Sequence, residues 1–254
     1  MWSRKELKDK AKAVLKEIYW SAFGISIVLA LVGGNHSFGG SGGGSHYRNS
    51  RDSVYFNINN NDFINWGLIS IVLIVLIVIL ALRIFIGYCL EVGARRYFVK
   101  SAQYRDNKKC FSFAFDRQNY MKIIQTMLLT EVFIFLWTLL LIIPGIIKSY
   151  AYRMVPYILA DNPNIGVREA ITLSNEMTKG HKFDMFVLDL SFIGWYFLGS
   201  LALGVGVLFV MPYENATNAE LYLVLRKDAL ENNLCTYEDL LLTHPALGGN
   251  DGIY

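Results

Sequence analysis

Four ionisable residues sit inside long apolar stretches and are the first candidates for chemistry: Arg153, Glu214, Glu131 and Asp189. Arg153 belongs to LIIPGIIKSYAYRMVPYILADNP, residues 141–163. A charge at mid-depth in hydrocarbon costs about 2.5–3.5 kcal/mol on insertion scales, so it needs a protein partner or water. Arg153 follows Gly145 by eight residues, roughly 12 Å at helical rise. Glu214, in MPYEN at 211–215, follows LGVG at 203–206 by a similar count. Similar depth makes Glu214 the first-choice partner of Arg153 and Glu131 the second, with Glu131 and Asp189 as a deeper acidic pair. Two readings suit these residue types: an interhelical polar clamp that fixes packing, or a polar cavity or ion pathway. One arginine among scattered acids does not make a defined relay, which favours the clamp.

Other patterns carry less. Gly39-Gly40-Ser41-Gly42-Gly43 matches the G-x-S-x-G elbow, but it lacks the preceding strand and following helix that expose a nucleophile. His36, His46, His181 and His244 are scattered, without metal-ligand spacing. Cys89, Cys110 and Cys235 form no CxxC and read as reduced or buried thiols. No phosphate or dinucleotide loop is present. A net charge of +3 gives no nucleic-acid footprint. The expectation is a protein that is not an enzyme, with no cofactor, no metal and no nucleic-acid partner.

Charged residues make up 18% of the 254, below the roughly 25% of soluble domains. Leu68 to Leu82 reads LISIVLIVLIVILAL, with Ser70 alone polar. Extended back to Phe63, it reaches the roughly 20 residues that cross a hydrocarbon core. The predicted fold is all-α, a polytopic transmembrane bundle of about six spans, near 18–32, 63–82, 120–143, 146–159, 183–202 and 207–225. Pro144-Gly145 and the LGVG segment read as hairpin turns, and Pro156 and Pro212 as kinks within spans. Residues 33–62 form a Gly-rich loop, and 226–254 a polar tail whose end is expected to be disordered.

The basic residues orient this scheme. Segments 1–17, 83–122, 160–182 and the tail from 226 hold six, nine, three and two Lys/Arg, against Arg48, Arg51 and Lys148 on the opposite side. Positive residues stay inside, so both termini are expected in the cytoplasm and the Gly-rich loop outside. Segment 1–17 is too long and too mixed in charge for a signal peptide. Ser3-Arg4-Lys5-Glu6 has the form of a capping box. Leu7, Ala11, Val14 and Leu15 then recur at helical spacing beside Lys5, Lys8, Lys12 and Lys16. That basic amphipathic helix can lie on an anionic lipid surface, or it is a solvated face leading into the first span. A second amphipathic helix is predicted over 167–179, with Gly180 as its C-terminal stop.

Several stretches resemble a family of integral membrane proteins of Gram-positive bacteria, domain-of-unknown-function family 975: RKELKDKAKAVLKEIYW, PGIIKSYAYRMVPYILADNP, EAITLSNEMTKGHKFDMFVLDLSFIGWY and LGVGVLFVMPYENATNAELY. There is a more distant similarity to the membrane domain of some glycerophosphodiesterases, whose catalytic domain this chain lacks. The resemblance implies a multi-span plasma-membrane protein and leaves its biochemical role open. Two roles then stand beside each other. One is a scaffold or accessory subunit working through lipid, anionic lipid included, or through a membrane-protein partner. The other is a transporter or small-molecule-binding protein with a polar cavity around Arg153.

Overall fold

The computed structural model describes residues 2–33, 62–201 and 205–243. The Gly-rich loop with His36, His46 and Gly39–Gly43, Leu203 and Gly204 of the LGVG segment, and the tail from His244 lie outside the described residues.

Every regular element among the described residues is helical. In chain order these are α1 (Arg4–Val32), α2 (Asp62–Leu82), α3 (Tyr88–Ala102), α4 (Cys110–Ala114), α5 (Arg117–Leu140), α6 (Ile142–Ala151), α7 (Val155–Asp161), α8 (Val167–Met177), α9 (Lys182–Leu201) and α10 (Val205–Glu231). A π-helical turn, Arg83–Gly87, joins α2 to α3 without a break. At the start of α1, the Ser3 hydroxyl accepts from the Glu6 amide at 3.2 Å, as a capping box requires. The Glu6 carboxylate turns instead to Lys10, at 3.2 Å.

Four helices among the described residues are long and apolar enough to cross a membrane: Arg4–Val32, Ile69–Ala102, Arg117–Leu140 and Lys182–Leu201. The sequence reading expects about six. The fourth expected span, 146–159, is not one helix. It divides into α6 and α7 around Tyr152–Met154, and each piece is too short to cross. The sixth, 207–225, lies within α10, which is long but carries a buried polar row.

The pairing of the first spans also differs. As two full crossings, 18–32 and 63–82 would set Gly33 and Arg83 on opposite faces, about 30 Å apart. Instead Arg83 Nη2 donates to the Gly33 carbonyl oxygen at 3.1 Å. The physical reason is that α1 packs on α3 and α10, while α2 makes few contacts beyond its own continuation. Ile69 to Leu80 are exposed all around the helix, so this stretch of α2 has no buried side.

Two turns are not where glycine and proline suggest. The α5–α6 break falls at Leu141, whose backbone is extended (φ −157°, ψ 138°). Pro144 sits in the first turn of α6, where a missing N–H costs nothing. Gly145 serves close approach: a Cβ there would lie 2.4 Å from Thr138 Oγ1. Likewise Pro156 opens α7 rather than kinking a span. Pro212 does lie inside a helix.

Large exposed apolar residues form a belt over α2, the second half of α5, α6 and α9, including Leu139, Ile142, Phe197 and Leu201. Monomeric soluble proteins rarely expose such continuous apolar surface. Lipid is the solvent that suits it. The apolar side of α1, Leu7, Ala11, Val14 and Leu15, is buried against protein. It is not free to insert into a membrane surface, so any lipid contact of that helix falls to its other faces.

Candidate functional site

The chain breaks just before Arg153, and this break builds the site. Ending α6 at Ala151 frees a carbonyl oxygen that the bilayer interior cannot satisfy. Side chains of α8 supply the missing partners. Ser174 Oγ donates to the Ala151 carbonyl at 2.8 Å and accepts from the Met154 amide at 3.2 Å. Thr178 Oγ1 donates to the same carbonyl at 3.3 Å. The amphipathic helix expected over 167–179 is present as α8, and Ala170, Leu173, Ser174 and Met177 face the core. Gly180 follows it with a positive φ of 84°, in the left-handed region that glycine reaches without strain.

Arg153 therefore leaves a turn between two short helices, not the side of a continuous span. Its guanidinium grips Asp189 of α9 with both ends, Nη1 to Oδ2 and Nη2 to Oδ1, each at 2.8 Å. The pair is deeply buried, with side chains 7% and 3% exposed. Tyr150 Oη donates to Asp189 Oδ2 at 2.8 Å, and Arg153 Nη2 also donates to Asn218 Oδ1 of α10 at 3.1 Å. Bidentate geometry of this kind is the strong form of arginine–carboxylate contact. It ties the α6–α7 turn, α9 and α10 into one joint.

The expected first-choice pairing with Glu214 is corrected here. Glu214 is fully buried on α10 and takes a short hydrogen bond from the Tyr196 hydroxyl through Oε2. Its Oε1 has no hydrogen-bond partner among the described residues. It acts on Arg153 through space only. Counting residues from the glycine turns failed because it assumed an unbroken helix from 146 to 159. Asp189, expected to pair with Glu131 in a deeper acidic couple, is the bidentate partner instead. Glu131 lines a cavity of about 30 Å³ together with Arg153, Thr130, Ser149 and Tyr152.

A second polar cluster, unanticipated from the sequence, extends this joint. Arg95 of α3 donates to Asn215 Oδ1 at 2.9 Å and to the Tyr157 hydroxyl at 3.2 Å. Its Nη2 lies 3.6 Å from the fully buried Glu91. Asn215 Nδ2 passes the chain on to Ser26 of α1 at 3.1 Å. At the far end of α10, Arg226 Nη1 and the Tyr222 hydroxyl both donate to Asp161 Oδ2, at 2.8 and 2.7 Å. Arg96 reaches the Ala160 carbonyl and covers the Phe113 ring, 3.6 Å from its centroid. The signal in the sequence is the spacing of Glu214, Asn218, Tyr222 and Arg226, every fourth residue of α10 and hence one helical row. Arg95, Glu91 and Asp161 have no comparable signal, because their partners lie on other helices.

The four lysines of α1 separate. Lys8 Nζ donates to Ser191 Oγ of α9 at 2.7 Å and sits 4.4 Å from the Phe192 ring centroid. Lys12 lies beside Asp9, at 3.6 Å, and over Tyr213, 5.7 Å from its ring centroid. Lys5 and Lys16 are exposed. The three cysteines are free. Burial raises the Cys110 thiol above its ordinary range, and burial together with Asp239 pushes Cys235 up to about 11. Both are poor nucleophiles at neutral pH. Among the described residues no three His, Cys, Asp or Glu side chains gather to hold a metal.

No curated protein and no solved structure matches the chain. Residues 138–229 match the model of a family described as "Protein of unknown function (DUF975)". That stretch runs from the end of α5 into α10 and contains Arg153, Asp189, Asn218 and Asp161, so the whole joint around Arg153 lies inside it, whereas Arg95 and the N-terminal helix lie before it. Over this segment the chain is similar to the DUF975 family.

Proposed function

We propose that the protein is a non-enzymatic, multi-pass plasma-membrane protein with both termini in the cytoplasm, acting as a scaffold or accessory subunit that engages a partner in the bilayer. The observation that carries this reading is how the buried polar groups are spent. Arg153, Asp189, Tyr150 and Asn218 are bonded to one another. The cavity beside them, about 30 Å³, is the share of one water molecule. A transported solute needs polar groups that face a path, and these face each other. The Lys/Arg of segments 1–17 and 100–122, six in each, support the orientation.

Purification from native membranes in mild detergent, with mass spectrometry of what co-elutes, tests the reading. One membrane protein recovered at fixed stoichiometry through size-exclusion supports it. A chain recovered alone that moves a solute across proteoliposomes contradicts it and favours the transport reading.

A further inference from the structure

A cavity of about 680 Å³ lies where α1, α9 and α10 meet, and Arg153 does not line it. Its lining is graded. Lys12 and Lys16 stand at one end with Tyr213; Tyr19, Trp195, Phe209 and Val210 continue from there. Lys12, Lys16 and Tyr19 are spaced i, i+4, i+7 on α1 and share a face. The Tyr19 hydroxyl donates to the Phe209 carbonyl oxygen at 3.4 Å, and Phe23 stacks on Phe209 with ring centroids 5.1 Å apart, which fixes the apolar end. Trp195 and Phe209, 54% and 46% exposed, open that end into the apolar belt. Among the described residues no acidic side chain lines the groove. Lys8, one turn earlier, is already taken up by Ser191. Asp9 is an exposed neighbour of Lys12, a contact worth little in water.

We propose that this groove binds one anionic phospholipid of the surrounding bilayer, its headgroup at Lys12 and Lys16 and an acyl chain along Trp195, Phe209 and Val210. The proposal rests on the membrane reading above and names a partner for it. Two cations at one end and a mainly aromatic and apolar other end match an amphiphile with a charged head. Aromatic rings between the two suit the headgroup boundary. The volume falls within the range of ligand sites. A helix from another protein would need no paired cations at one end, so charge complementarity selects the lipid.

The test uses the full chain with Trp2, Trp20, Trp66 and Trp137 replaced by phenylalanine, which leaves Trp195 as the sole fluorophore of the five. It is reconstituted in phosphatidylcholine bilayers, and brominated phosphatidylglycerol or brominated phosphatidylcholine is added as a contact quencher. Brominated phosphatidylglycerol is expected to quench Trp195 at a mole fraction lower by about fivefold per lysine. Lys12→Gln/Lys16→Gln is expected to remove that preference while quenching by brominated phosphatidylcholine persists. Equal quenching by the two lipids in the parent overturns the headgroup site but leaves the membrane reading standing. A preference that survives the double substitution overturns the assignment to these lysines. No quenching by either lipid overturns the membrane placement of this face as well.

Discussion

At the scale of single residues, the decisive contact is the two-armed grip of Arg153 on Asp189. Truncating one partner of a buried pair strands the other charge, at a cost of about 3–5 kcal/mol. Arg153→Met and Asp189→Asn are each expected to lower stability in detergent steeply. The double variant is expected to lose less than the two losses added, by about 0.5–3 kcal/mol in a double-mutant cycle. Additive losses would show that the two side chains do not depend on each other. Glu214→Gln is the contrasting case. Its Oε1 has no hydrogen-bond partner among the described residues, and its other oxygen is held by Tyr196. A neutral amide of the same shape is expected to change stability by under about 1 kcal/mol, read in the same thermal assay, and to couple to Arg153→Met less than Asp189→Asn does. The sequence shows that Arg153 needs a partner, because a lone arginine in an apolar segment is costly. It does not show which acid answers. Asp189 and Glu214 are both available, and three residues of turn at Tyr152–Met154 redirect the side chain toward α9.

At the scale of elements, the helices are legible where apolar runs are long, and their breaks are not. Pro144 and Gly145 look like a hairpin, yet Leu141 makes the turn, since proline in a first helical turn is harmless and glycine is wanted for its missing side chain. Gly199 and Gly206 make the same point. A Cβ on Gly199 would come 2.7 Å from the Gly206 carbonyl carbon, backbone that has nowhere to move. Gly199→Ala is therefore expected to destabilise by about 1–3 kcal/mol through overpacking of α9 on α10. Gly194, on the same helix, has nothing within 4 Å of a Cβ. Gly194→Ala is expected to be neutral or to stabilise by up to about 1 kcal/mol, because alanine loses less backbone freedom in a helix. Thermal melts of the two variants side by side check the pair. Equal effects would mean that α9 and α10 do not touch at Gly199. The break at Ala151 is illegible for a different reason: its carbonyl is satisfied by Ser174 and Thr178, which are more than twenty residues further along the chain.

At the scale of the whole molecule, the apolar belt sets the solvent and the polar joints set the architecture. The all-helical class follows from composition and run length alone. The number of crossings does not, since α10 hides a polar row inside an apolar composition and α6 and α7 are fragments that read as one span. Orientation is checked by labelling. With the native cysteines replaced, a cysteine at Ser45 is expected to react with an impermeant thiol reagent in intact cells, and one at the exposed Lys179 only after the membrane is opened. The reverse pattern would invert the molecule. The central claim is that the polar interior around Arg153 is a closed joint and not a route through the membrane. Thr130 and Ser149 line the small cavity beside Arg153, so cysteines placed there report on water access most directly. In sealed membranes of known orientation, the account predicts that an impermeant thiol reagent applied from either face leaves both positions unmodified, while the same positions react once the protein is unfolded. Modification of either cysteine in the folded protein, from either face, would contradict it.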